Sequence, residues 1–205
     1  MPQGQSGLSA LTAPNMLLDA GAVYLNIGIP ELEDASSSTP LLDAVSVSGC
    51  VKLGGTRGGN SFNPGRVIRQ MPVDGGIGPI KGFNRRQTSA PTLTVNMLEL
   101  TPDNLANAIA AARAATVGQF TKITGGAVRD SDYISNVALV TTIKGNTSLP
   151  FVVVIHNAMA LESPEFTTAD EDEVVLPVTF NGHVLVTAPN DEAWAIYHPG
   201  LDVSP

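Results

Sequence analysis

A single cysteine, Cys50, is all the thiol chemistry this 205-residue chain has. That excludes an internal disulfide framework and a cysteine-based metal site, and it fits a reducing compartment or an assembly that needs no covalent staples. Aromatic residues make up only 5% of the chain, against 20 glycines and 15 prolines. Such a mix suits a β protein with many turns and small side chains against close-packed neighbours. No apolar run approaches the roughly 20 residues of a membrane-spanning helix, and no basic n-region precedes an apolar h-region, so the expected site of synthesis and residence is a cytoplasm. The three histidines, His156, His183 and His198, are too scattered for the usual zinc spacings, and neither H-E-x-x-H nor G-x-S-x-G occurs.

The last sixty-one residues lack Lys and Arg altogether but hold nine acids. The cations lie elsewhere: seven of the eleven (Lys52, Arg57, Arg66, Arg69, Lys81, Arg85 and Arg86) fall between 52 and 86, where Asp74 is the only acid. Two solvated loops of opposite sign would account for this. Alternatively the basic segment of one copy meets the acidic segment of another, since complementary patches set register in an assembly. The net charge of −8 and the scarcity of aromatics among the cations, Phe62 and Phe83 apart, argue against a dedicated nucleic-acid binder.

The length fits one domain, expected over residues 21–198, with an extended N-terminal arm over 1–20, a long basic loop or arm at about 54–87 and a C-terminal tail over 199–205. Strands are predicted at Ala22–Ile29, ended by Pro30 and a polar loop through Ser38, then at Ala44–Leu53, broken by Gly54–Gly59, and at Asn63–Met71, with Arg66 and Arg69 on opposite faces. Asp74–Gly82 holds four glycines and a proline and reads as loop. Thr92–Met97 alternates with period two, a half-buried strand. Thr101-Pro102-Asp103 opens a helix over about 101–115, with Thr101 as N-cap, Pro102 at the first position and a stripe of Leu105, Ile109 and Ala112. A Gly-rich connection at Gly118–Gly126 leads to a strand at Tyr133–Ile143 and a turn at Lys144-Gly145-Asn146. Phe151–Ile155 does not alternate, so both its faces should be covered, one of them by a neighbour if the chain is an oligomer. Val174–Phe180 is the last strong strand, and Pro177 places it at an edge or leaves it bonded there only through carbonyls.

Few residues suggest chemistry. Gly54–Ser61 has P-loop spacing, but Asn60 stands where the phosphate-binding Lys belongs and Asn63-Pro64-Gly65 replaces the helix. Cys50 and His156 could form a nucleophile and base, though a small buried thiol is the simpler reading. The run Asp170-Glu171-Asp172-Glu173 lacks the ligand alternation and turn glycine of a calcium loop, and reads as a solvated or tube-facing acidic loop. No catalytic residue, cofactor or metal site is expected.

Several motifs occur together in a recognisable order: Val73-Asp74-Gly75, Gly78-Pro79-Ile80-Lys81-Gly82, and Leu93-x-Val95-x-Met97-Leu98-Glu99-Leu100-Thr101 running into Asn104-Leu105. In the second half follow Asp132 through Leu139, Lys144-Gly145, Phe151 to Ile155 with His156-Asn157-Ala158, and Asp172-Glu173 leading to Gly182-His183. With these the chain resembles the major tail tube proteins of long-tailed bacteriophages, over about Ala20 to Trp194. That family is related to the inner-tube proteins of contractile tails and of type VI secretion. The resemblance implies a mainly β subunit, a sandwich or barrel with one flanking helix and long loop arms. It also implies six copies closing into rings that stack into a tube, through which double-stranded DNA passes without sticking to an acidic lumen. Implied partners are further copies of the chain and tape-measure, tail-terminator and baseplate or tail-tip proteins, and the implied location is the virion tail. By the same analogy Arg57, Arg66, Arg69, Lys81, Arg85 and Arg86 would make inter-subunit ion pairs with acids such as Asp170, Glu171, Asp172 and Glu173. Another virion component (a terminator, head-decoration or baseplate protein) and a small-ligand or enzyme module are the competing readings.

Overall fold

The computed structural model describes residues 12–72, 74–75, 78–168, 170 and 173–200. Its first strand, β1 (Leu17–Leu25), starts inside the segment expected to be an unanchored arm; residues 1–11 of that arm, like 201–205 of the expected tail, lie outside the described residues. Two short helices follow, α1 (Ile29–Leu32) and α2 (Pro40–Val45), each with a proline in its first turn. The strand expected at Ala44–Leu53 is therefore a misreading. The alternation of Val45, Val47, Gly49 and Val51 is overridden by the Pro40 start, and only β2 (Val51–Lys52) extends. β3 (Thr56–Asn63) runs straight through glycines that were expected to break the chain. Gly58 and Gly59, at φ +86° and +84°, instead build a bulge between Thr56 and Asn60.

The basic strand expected at Asn63–Met71 is β4 (Arg66–Gln70), and it pairs in a hairpin with β5 (Asn84–Ser89), where only loop was expected; Val73, Gly76 and Ile77 of the connection lie outside the described residues. β6 (Thr92–Met97) lies where its alternation placed it, and every second residue is buried. The helix α3 (Pro102–Ala108) begins as expected, with the Thr101 hydroxyl accepting from the Asn104 N–H, but it stops seven residues short of 115. Ile109 is already extended, and Ala111 takes φ +53°. The Ala-rich stretch beyond it is β7 (Ala112–Val117), which turns at Gly118-Gln119 into β8 (Phe120–Gly125), in place of the expected helix end and Gly-rich connection. β9 (Ile134–Ile143), β10 (Asn146–Ala160), β11 (Leu176–Asn181) and β12 (Trp194–Tyr197) complete the chain.

These strands form a sandwich. One sheet runs β2, β1, β9, β10, with β12 pairing the far edge of β10; the other runs β11, β6, β3 and joins the first through the end of β10, where Met159 and Ala160 pair with β11. Antiparallel pairing throughout lets each sheet turn one face inward. Val23, Leu25, Val137 and Ile155 from the first sheet meet Leu93, Val95, Met97, Leu176, Val178 and Phe180 from the second. The fold is thus mainly β and sandwich-like, with three short α-helices and a 3-10 turn at Asp130–Asp132 among the described residues where one helix had been expected.

The back of the first sheet is also covered. Ala138, Val140, Val152 and Val154 lie beneath Ile27, Leu41, Ala44 and Val45, so the run Phe151–Ile155 owes its unbroken apolarity to a lid of helices from its own chain. At Pro177 the ladder partner is Asn96 of β6, while β10 reaches β11 only at Phe180 and Asn181; the proline sits where one side of the strand has no partner, as its missing N–H requires.

Candidate assembly surface

Two hairpins stand off this sandwich as separate two-stranded sheets, β4 with β5 and β7 with β8. An isolated two-stranded ribbon is marginal in water, because it has too little apolar surface to offset the entropy of ordering it. Each ribbon here is tied down at its base and carries uncovered apolar side chains further out.

The first ribbon bears most of the cations. Val67 opposes Thr88 but Ile68 opposes Arg86, which leaves Gln87 as an extra residue in β5. This bulge sets the two faces. It brings Arg86 beside Arg66 on one side and places Arg85 directly across from Arg69 on the other. On the first face, Arg86 Nη1 donates to Glu192 Oε1 at 2.6 Å and its Nη2 donates to the Asn190 carbonyl at 2.7 Å. Arg66 Nε lies 3.4 Å from the same Glu192 oxygen, and the Ser89 hydroxyl donates to Glu192 Oε2. The Ser89 hydrogen bond first, then those from Arg86 and the charges of both arginines, hold the Glu192 carboxyl below its ordinary range against the opposing effect of burial. Glu192 is therefore a clasp for the ribbon. Its neck is closed by Gly65, at φ +57°, whose carbonyl accepts from the Ala90 N–H at 3.2 Å.

On the other face Arg69 and Arg85 stand opposite one another with no carboxylate within ion-pair distance among the described residues. Val67 and Met71 share that face by alternation and are exposed, as is Phe83 at the end of β5. Like charges directly across a strand pair repel, so this face is incomplete as it stands.

The second ribbon is clasped by Arg113, whose Nη1 and Nη2 meet Asp132 Oδ1 and Oδ2 at 2.9 and 3.0 Å while Nη2 also donates to the Ala127 carbonyl. That bidentate hydrogen bond first, then the Arg129 N–H and the charges of Arg113 and Arg129, keep the Asp132 carboxyl below its usual range against the opposing effect of burial. At the tip Val117 and Phe120 pair, and Phe120 is 78% exposed.

The other residues singled out from sequence fall as follows. Arg57 in β3 pairs with Glu173 of its own chain, so one basic and one acidic residue expected at a subunit boundary meet within the subunit. Lys81 and Asp170 are exposed, and Glu171 and Asp172 lie outside the described residues. Glu192, Ser89 and the Phe120 tip were missed: an Asp-Glu pair at 191–192, a single serine and a Gly-Gln turn carry no motif, although Thr116-Val117-Gly118-Gln119-Phe120-Thr121 has the β-branched and aromatic content of a hairpin.

The chemical alternatives gain nothing from the geometry. Burial raises the Cys50 thiol, the reverse of an activated nucleophile, and Cys50 packs beneath the helical lid. His156 Nδ1 is engaged with Asn136 Oδ1 at 2.8 Å, and burial lowers its pKa. Of the glycines of the P-loop-like stretch, Gly58 and Gly59 lie in a strand bulge and Gly54 and Gly55 precede β3. Among the described residues no three His, Cys, Asp or Glu side chains gather in a way that could hold a metal, and no helix is long and apolar enough to cross a membrane. No protein-family model matches the chain, and no curated protein matches it in sequence.

Proposed function

We propose that this chain is the repeating subunit of a bacteriophage tail tube, a structural protein and not an enzyme, which closes into hexameric rings that stack to form the conduit for the genome. The observation that carries the reading is the ribbon β4–β5: two strands clasped at one face and left basic and apolar on the other, a shape that needs a second surface to be complete. The resemblance of Val73–Leu105 and Asp132–His183 to tail tube proteins supplies the particular assembly. Net acidity supports the same reading, since a negatively charged lumen would repel phosphates and let DNA slide.

In this reading ring closure rests on strand addition and apolar burial, because exposed ion pairs contribute only about 0 to 1 kcal/mol each; charge sets register. The partners would be other copies of the chain, with terminator, tape-measure and tail-tip proteins at the ends, and the location the virion tail after synthesis in the host cytoplasm. Negative-stain electron microscopy of the purified protein, concentrated and at two salt levels, tests it. Hollow filaments or stacked six-fold rings are expected. Single closed rings would move the chain to a terminator-like role, and a monomer at every concentration would overturn the proposal.

A further inference from the structure

We infer that the outward face of the β4–β5 ribbon, centred on the Arg69–Arg85 pair, docks on the acidic and apolar segment 161–168, with Asp170, of a second copy of this chain. The inference rests on the self-assembly reading above and names the surface that the ribbon meets.

Three observations converge. First, the ribbon face is a mixed surface: two cations directly across from each other, flanked by exposed Val67 and Met71. Second, segment 161–168, together with Asp170, is its complement in both respects. Leu161 and Phe166 are 55% and 52% exposed, and Glu162 and Glu165 lie exposed between them with no cation within ion-pair distance among the described residues. Third, the acids that meet Arg57, Arg66 and Arg86 are already committed. Glu192 holds Arg66 and Arg86, and Glu173 holds Arg57. Arg69 and Arg85 on the ribbon, and Glu162 and Glu165 on the segment, are among the charges that no ion pair takes up among the described residues. No ion pair joins them among the described residues, so a second copy provides the match.

A carboxylate between Arg69 and Arg85 would turn a repulsive cross-strand pair into an attractive triad, and the flanking apolar side chains would be removed from water at the same step. Double-stranded DNA is the other polyanion that two arginines could meet, but a nucleic-acid backbone offers no partner for Val67 and Met71.

The test is charge reversal read by sedimentation and electron microscopy. Arg69→Glu with Arg85→Glu should weaken self-association by about tenfold or more, as losing close interfacial charge pairs does, with an unchanged circular dichroism spectrum. Glu162→Lys with Glu165→Lys should do the same from the other side. An equimolar mixture of the two variants should form heterodimers, since each keeps one intact surface, and the quadruple variant should recover association.

Normal assembly of both double variants would overturn the docking while leaving the tube reading in place. Association of the wild-type chain into dimers without rings would overturn the tube and keep the docking if the charge reversals break those dimers. A wild-type chain that stays monomeric throughout would overturn both. If instead the wild-type chain retards duplex DNA, and Arg69→Glu with Arg85→Glu abolishes that while self-association persists, the surface is a nucleic-acid contact and the proposal falls.

Discussion

Arg86 reaches Glu192 across 106 positions of sequence, at 2.6 Å, and this pair with Ser89 and Arg66 fastens an otherwise free-standing ribbon to the sandwich. Glu192→Gln should leave the far-ultraviolet circular dichroism intact while making residues 66–89 cleave faster under limited proteolysis, because the core makes no use of this carboxylate. Unchanged cleavage would show that the neck at Gly65 alone holds the ribbon.

The same carboxylate makes the clasp pH-sensitive. Its folded pKa is depressed relative to the ordinary value of 4.5, so the unfastened state binds the proton more tightly. The contribution is fully present above about pH 4.5 and is lost as pH falls through the depressed value. Proteolysis of the ribbon should accelerate on acidification through that window in the wild-type chain, and Glu192→Gln should flatten the dependence.

At the alkaline end, Tyr197 donates to Glu33 Oε1 at 2.7 Å beside the helical lid, and burial first, then that hydrogen bond and the Glu33 charge, push its pKa up to about 12. The folded state keeps a proton that the unfolded state releases near pH 10, so stability falls as pH rises from about 10 towards 12. Urea midpoints measured across this range should decline more steeply for the wild-type chain than for Tyr197→Phe.

Asn104 is a buried polar residue whose Nδ2 donates to the carbonyls of Leu53 and Glu99, both at 2.9 Å, tying α3 to the chain just beyond β2 and β6. Asn104→Ala leaves two carbonyls without their donor and should cost about 1–3 kcal/mol in denaturant titration. Phe180→Ala, which empties the centre of the sandwich, should cost more, about 3–5 kcal/mol. If the two losses came in the opposite order, the core would not be centred between the two sheets.

Gly65 carries a further expectation. A Cβ there would lie 1.9 Å from the Ala90 carbonyl oxygen, at a φ of +57° that side chains disfavour. Gly65→Ala should therefore part the neck and expose the ribbon to protease even with Glu192 in place.

Several elements were legible from local pattern alone. Thr92–Met97 alternates because one face lies on the core and the other on solvent, and Thr101-Pro102 marks a helix start whatever follows it. The C-terminal end of that helix was not legible. Ala112-Arg113-Ala114-Ala115 favours a helix by propensity, yet it is drawn into a hairpin by the β-branched and aromatic residues across the Gly118-Gln119 turn and by the Arg113–Asp132 clasp, nineteen residues away. Residues 44–53 failed for the opposite reason. A period-two run of valines is a local signal, and Leu41, Ala44 and Val45 form a helical stripe only because a sheet lies beneath to receive it.

The candidate surface divides the same way. Sequence by itself determined that cations and acids are segregated along the chain, that β-strands dominate, and that one cysteine is too few for a disulfide framework, because these follow from composition and from the two-residue period of the strand. Only the tertiary structure decided which charges are spent inside the subunit and which remain outside. That outcome depends on one bulge at Gln87, which turns Arg86 inward to Glu192 and leaves Arg69 facing Arg85, and a shift of one residue in register is set by the pairing of whole strands and not by any residue's own preference.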